Sequence, residues 1–503
     1  MKQVGKIHGP VKPTTFQILL SDLSTERGSY IKVNHDVYGW VLAKIESMKR
    51  YLDDFDDEVM LAEARTVGYK RDDNVLIPKT PFKPGEKVYT ADKSLIMSIL
   101  GLRRDKKDSM YIGMLEGHDI PVYLDVKKTI GKHTSVLAKT GAGKSYTVAV
   151  LLEELIKNDV AIVIIDPHGE YGSLRIENDD YDAMLKYNIK AASYTDKVVE
   201  YATNRRVNPN AGKLILPSDF DLIELTEIMP MSLGDRQKST LYSALRDLEG
   251  ERYTLKDLMV RVEQEPTQAK WKVMSGLEGL DESGIFEGDP IALEDLVQKG
   301  QATIINLLGT EHHIQELVVA KLARMLFDGI RVGKIPEFFF LVEEAHNFCP
   351  ERGFGDSISS SILRDIASEG RKFGFHLCVV SQRPARVDKN VLSQCNTQII
   401  LKVTNPNDLR AISHSIEGFT PGMEKEIRQL SVGHALIVGE SVEQPITVDI
   451  RVRETKHHTS HVRAMVAEQS SDEDDVGGTF SGEDIVEGSS SSFLRLLKRI
   501  FLK

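Results

Sequence analysis

The sequence lacks any apolar run near the ~20 residues that a membrane-spanning helix needs, and its opening MKQVGKIHGP has no apolar core of a secretory signal. The expectation is a cytoplasmic chain without a membrane partner. Cysteine is scarce: Cys349, Cys378 and Cys395 are an odd number with no paired spacing. That excludes a disulfide framework and argues against zinc, leaving three small buried apolar residues. Positive charge is also in deficit. A net formal charge of -11 denies the molecule whole-surface attraction to phosphate, so any DNA contact must come from a local basic lining. Part of the deficit is confined to the far end, where eight acidic and no basic residues lie between Glu468 and Glu487.

What is present is enough for two compact domains: 503 residues with a hydrophobic fraction of 41%. Residues 1–125 carry short strand-like runs (FQILL, SYIKV, GWVLAKI, NVLIP, KVYTA, MYIGML, VYLDV) divided by turn residues such as Gly9-Pro10 and Pro84-Gly85. Many short strands at this spacing predict a small β-barrel or sandwich, with one helical interruption near 45–65. From Thr134 the units lengthen. TSVLA, YTVAVLLEELIK and AIVIID read as strand, helix and strand of a parallel βαβ unit, and ATIINLL, EFFFLV, FHLCVV, TQIILKV and HALIVG continue it. The pattern predicts a doubly wound, mostly parallel α/β domain over 126–455, with a helical insertion at about 220–297. Residues 456–490 read as an acidic disordered linker. Residues 491–503 read as a basic amphipathic helix with Arg495, Arg499 and Lys503 on one stripe, suited to a partner protein, the chain's own body or a membrane surface.

The chemistry starts at VLAKTGAGKSY, 136–146. A phosphate cradle needs inward backbone N–H groups at a helix N-terminus and glycines where a Cβ would obstruct the ligand. Thr140, Gly141, Ala142, Gly143, Lys144, Ser145 and Tyr146 are the expected nucleotide-binding residues, Lys144 meeting the β and γ phosphates and Ser145 ligating Mg²⁺. Ala138 stands where such loops usually have their first glycine, a tolerable methyl if φ stays negative. FLVEEAH ends a buried strand in Glu343 and Glu344, a costly pairing unless a cation or water uses it. Glu343 is assigned to the magnesium shell and Glu344 to polarising the attacking water. Gln382, at the end of FHLCVVSQ, is placed to sense the γ-phosphate or orient water. The carboxylates of DPHGEY, 166–171, either face the pocket or close a turn. ASEGRKFG sets Arg371 at a helix end, distant in sequence from its own pocket. There it is either a cation favoured by the helix dipole or an arginine finger for a neighbouring subunit, which requires an oligomeric ring. Asn204-Arg205-Arg206 is either solvated surface or a DNA-tracking loop, and His457, His458 and His461 are a minor candidate for metal.

AKTGAGKS, IIDPHGEY, FLVEEAH, ASEGRKFG and SQRP, in this order behind a small β-rich domain, resemble the FtsK/HerA group of pumping ATPases, and HerA helicases most. The resemblance covers roughly residues 1–455 and is weakest in the first hundred. It implies a RecA-like P-loop ATPase domain, an N-terminal HAS-barrel-like domain, ATP and Mg²⁺ at the interfaces of a homo-hexamer, and duplex DNA in the central channel. It further implies DNA end resection for recombinational repair with a NurA-like nuclease. By the same resemblance Lys144 and Ser145 serve phosphate and Mg²⁺, Glu343 and Glu344 hydrolysis, Gln382 sensing, and Arg371 the trans finger. Lys132 stands where some relatives have a second trans arginine; it keeps the charge but loses the planar fork. A related ring ATPase serving a secretion or conjugation complex is the alternative, and a non-motor nucleotide switch or kinase is a third reading.

Overall fold

The computed structural model describes residues 2–457 except 53–57, 73, 103–106, 219, 221, 230 and 249–252. The acidic segment, the terminal helix, His458 and His461 lie outside the described residues. Among the described residues nineteen strands form two sheets. Seven make up the first: β1 (Gln3–His8), β2 (Thr15–Leu20), β3 (Tyr30–His35), β4 (Gly39–Leu52), β5 (Glu58–Arg71), β6 (Asn74–Leu76) and β7 (Lys87–Thr90). Their order is β2-β1-β7-β3-β4-β5-β6, and β2 also pairs with β5. That extra pairing closes a six-stranded antiparallel barrel around Phe16, Ile18, Val33, Val41, Ile45 and Val88, all buried.

The helix expected near 45–65 does not form. Residues 39–52 and 58–71 are instead the two arms of a long antiparallel ribbon, with register shifts between Leu42 and Ala43 and between Ile45 and Ser47. The inward face of β5 is Ala62, Ala64, Thr66 and Gly68 at period two. Alanine and glycine carry little strand propensity, so the alternation was masked by residues that usually favour helix.

The second sheet contains β8 (Ser109–Leu115), β9 (Pro121–Asp125), β10 (Thr134–Leu137), β11 (Ala161–Asp166), β12 (Val198–Ala202) and β13 (Gly212–Lys213). It continues with β14 (Ala302–Asn306), β15 (Phe338–Val342), β16 (Phe375–Ser381), β17 (Thr397–Ile400), β18 (His434–Gly439) and β19 (Ile446–Ile450). The order is β13-β12-β14-β11-β15-β16-β10-β17-β18-β19-β8-β9. The strands from β13 through β17 run parallel, and the remainder are antiparallel. AIVIID and FFFLV are buried at every position, as parallel strands covered on both faces must be. MYIGML and VYLDV, read from sequence as part of the small domain, are β8 and β9 and extend the large sheet. The barrel's last strand therefore ends at Thr90, ahead of the expected limit at 125.

Helices between Leu222 and Leu296 pack on one another and on the parallel sheet through Leu241, Leu258, Val273 and Leu277. Lys44 of β4 reaches Glu426, on the helix Pro421–Gln429, at 2.8 Å and ties the barrel to the large domain. No helix among the described residues is long and apolar enough to cross a membrane.

Candidate functional site: a phosphate loop facing two buried carboxylates

The phosphate loop leaves β10 and enters the helix Lys144–Lys157. Gly141 and Gly143 have φ of 77° and 97°. A Cβ on Gly141 would meet nothing within 4 Å, and one on Gly143 would be in ordinary contact with Leu401 at 3.7 Å and the Gly433 backbone at 3.8 Å. Backbone conformation, rather than crowding within the chain, is what demands glycine at both. Ala138 is buried without a positive φ, and its N–H donates to Ser381 O at 3.2 Å, so the methyl is accommodated at the strand exit. Tyr146 follows Ser145 in the first helical turn. Its hydroxyl accepts the Arg453 N–H at 2.9 Å, and its ring lies 5.5 Å from that of His457.

β15 lies two strands from β10, with β16 between them, so its carboxyl end faces the loop. Lys144 Nζ bonds to Glu343 Oε1 and, at 2.7 Å, to Glu344 Oε1. Burial opposes charge on the Lys144 ammonium, but the two carboxylates outweigh it and its pKa lies above the ordinary lysine value. Glu343 is completely buried, and burial raises its pKa to about 7 against the opposing pull of Lys144 and Tyr171. The Tyr171 hydroxyl donates to Glu343 Oε2 at 2.7 Å. Glu344 sits in the left-handed region at φ 50°, ψ 44°. Its Oε2 is buried without an aligned hydrogen-bond donor, although His346 Nδ1 is 3.2 Å away.

Of the two carboxylates of DPHGEY, Asp166 has a visible task, while Glu170 Oε2 is buried without a hydrogen-bond partner. Asp166 closes the turn, accepting the N–H groups of His168, Glu170 and Tyr171 at 3.3, 3.1 and 3.0 Å, and burial raises its pKa to about 7. Gln382, just past β16, accepts the Thr140 hydroxyl at 2.5 Å and so touches the loop directly.

Thr140, Gly141, Ala142, Gly143, Lys144, Ser145, Tyr146, Glu343, Glu344 and Gln382 are thus gathered at one end of the parallel strands. Arg371 is not among them. It is exposed on the turn Gly370–Lys372, which precedes β16, whereas Gln382 follows that strand. Seven residues of strand separate the two by about 20 Å. His133 braces this opposite edge: its ring accepts the Leu377 N–H at 2.9 Å and contacts the Ala367 carbonyl at 3.1 Å. Lys132, at the same edge, pairs with Glu440.

The cysteines are free and buried. No group of three or more His, Cys, Asp or Glu suited to a metal occurs among the described residues. Arg205 and Arg206 follow β12, with Arg205 Nη2 donating to Pro209 O at 3.3 Å. Sequence reasoning missed Tyr171 and His346 as parts of the site, though both lie in stretches it had singled out.

The arrangement, a lysine at a helix start facing two buried carboxylates across a parallel sheet, is that of a nucleoside-triphosphate site. A family model described as "Helicase HerA, central domain" matches residues 110–326. A probable helicase of Methanocaldococcus jannaschii is 27% identical over 84% of this chain and 86% of its own length. A DNA double-strand break repair helicase HerA of Pyrococcus furiosus is 29% identical over 78% of each chain. The chain is similar to HerA helicases over most of its length. The HerA model begins within β8, consistent with β8 and β9 being part of the large sheet, and ends before Glu343. The structure of VirB4 of Thermoanaerobacter pseudethanolicus superposes with a TM-score of 0.50 at 17% identity, over 69% of this chain and 98% of that one, and shares the P-loop ATPase fold.

Proposed function

We propose that the chain is an ATP-driven DNA translocase or helicase acting on duplex DNA as a ring of identical subunits, in DNA end resection and repair with a nuclease partner. The observation that carries the hydrolytic part is the bridge from Lys144 to Glu343 and Glu344 at the carboxyl end of β15. One ammonium faces two buried carboxylates, of which Glu343 holds its proton until about neutral pH; a divalent cation arriving with a nucleotide would take that proton's place. Ser145 and Glu343 would hold that Mg²⁺, which supplies charge neutralisation across the β and γ phosphates when bound. Lys144 then turns from the carboxylates to phosphate. Glu344 polarises the water, and Gln382, already against Thr140, reports the γ-phosphate to β16.

The ring is supported by Arg371, which is exposed at the edge of the sheet away from its own phosphate loop and so is free to serve a neighbour's nucleotide. The DNA substrate is supported by similarity to HerA helicases and by the repair role printed in the Pyrococcus furiosus relative's name. The alternative, a ring ATPase of a secretion or conjugation complex, has the shared fold alone behind it.

ATPase activity measured against added duplex DNA over a salt series, with native mass recorded in the same buffer, tests the reading. DNA should stimulate turnover and salt should weaken the stimulation steeply, the mass should be a multiple of one chain, and Lys144→Ala should abolish hydrolysis. A monomer of full activity, or a Lys144→Ala variant with wild-type turnover, ends the assignment.

A further inference from the structure

His346 lies in the turn Ala345–Asn347, directly after the two carboxylates, with its side chain one-tenth exposed. Its Nδ1 is 3.1 Å from Ser381 Oγ and 3.2 Å from Glu344 Oε2. Ser381 is fully buried at the end of β16, and its hydroxyl oxygen accepts the Arg383 N–H at 3.0 Å. The next residue, Gln382, touches the phosphate loop through Thr140. One imidazole thus stands between the carboxylate assigned to the water and the strand assigned to sensing. Burial holds the ring's pKa down at about 4, so it is neutral near neutral pH, and a neutral ring with its proton on Nδ1 can donate toward the carboxylate.

Lys144 cannot hold Glu344 and a nucleotide phosphate with equal strength. Once the ammonium turns to phosphate, Glu344 Oε1 loses its 2.7 Å partner. The polar side chain then left beside the carboxylate in these contacts is His346. The backbone supports this division, because the left-handed conformation of Glu344 fixes where its Cβ points but not its outer torsions.

We propose that His346 is a positioning residue for hydrolysis, holding the Glu344 carboxylate toward the attacking water and linking that orientation, through Ser381, to the strand that carries Gln382. It touches neither nucleotide nor water. This inference rests on the hydrolytic reading of Glu344 above.

The test is steady-state ATPase of the full chain with duplex DNA for His346→Ala, His346→Asn, Ser381→Ala, the double variant His346→Ala/Ser381→Ala, and Glu344→Gln, with thermal midpoints recorded for each. The expected result is a kcat for His346→Ala about 10- to 100-fold below wild type, the loss typical when a partner orienting a site ligand is removed, with KM for ATP within about two-fold. Asparagine sets an amide near the Nδ1 position and should recover kcat to within about three-fold of wild type. The double variant should be no slower than His346→Ala alone, because both substitutions break one link. A wild-type kcat in folded His346→Ala overturns the proposal, as does a fully multiplicative loss in the double variant. Should His346→Ala not fold, an unchanged kcat in Ser381→Ala together with a low kcat in folded His346→Asn overturns it equally. Wild-type turnover in Glu344→Gln would remove the hydrolytic reading itself, an outcome distinct from failure of the His346 link.

Discussion

Glu343 is a carboxylate whose pKa burial has raised in the ligand-free protein, to about 7 from 4.5. The folded state therefore holds its proton where the unfolded chain has released it, so this group's contribution to stability falls as pH rises from about 4.5 to about 7. Chemical denaturation of nucleotide-free wild type and Glu343→Gln between pH 5 and 8 should show the variant losing less stability over that interval, by a few kcal/mol at most. Equal slopes would show that the carboxylate is already ionised beside Lys144. Gly143 makes a second demand at this scale. With φ at 97°, Gly143→Ala strains the loop by about 1–3 kcal/mol, lowering the thermal midpoint and weakening binding of a fluorescent ATP analogue together. The loop residues were legible because their spacing is local, and Glu343, Glu344 and Gln382 because each ends a run whose burial is written in its own letters. Tyr171 and His346 were not, since their partners lie 172 and 35 residues away. Only the stacking of β11, β15 and β16 brings them together.

Among the elements, the segment after β19 has the most to hold in place. Arg451 is wholly buried and bonds Glu153 at 3.0 Å and Glu154 at 2.8 Å on the phosphate-loop helix, while Arg453 donates to Ser173 at 3.0 Å. Removing one member of a buried ion pair leaves an uncompensated charge, so Arg451→Met should lower unfolding stability by about 3–5 kcal/mol as read by urea titration. A loss below about 1 kcal/mol would mean that solvent screens these carboxylates. Nothing in the sequence around Arg451 announced this role, because its partners lie in an apolar helix read only for its hydrophobic face. The same limit explains β8 and β9. Their composition says strand, but which sheet a strand joins is decided by its neighbours, here Val448 and Ile450 of β19 meeting Leu115 and Gly113. The β4–β5 ribbon shows the complementary failure, in which Ala62, Ala64 and Gly68 line a barrel wall with letters that elsewhere favour helices and turns.

For the whole molecule, the separation of Arg371 from Lys144 makes a mixing experiment decisive. Lys144→Ala and Arg371→Ala chains should each be inactive alone, yet a mixture assembled from both should recover a fraction of wild-type ATPase. In such a ring some intact loops face intact arginines. No recovery, alongside a native mass showing mixed rings, would place the arginine's effect within its own subunit.

β16 carries Gln382 beyond one end and the Arg371 turn before the other. On the trans reading it is a stiff lever between two fuel sites. A tilt of about 5° at the Gln382 end swings the opposite end by roughly 2 Å, given some 20 Å of strand. That is enough to make or break a guanidinium–phosphate contact. Emptying one pocket would then disarm the next, and the order of firing around a ring needs no messenger beyond the rigidity of seven residues.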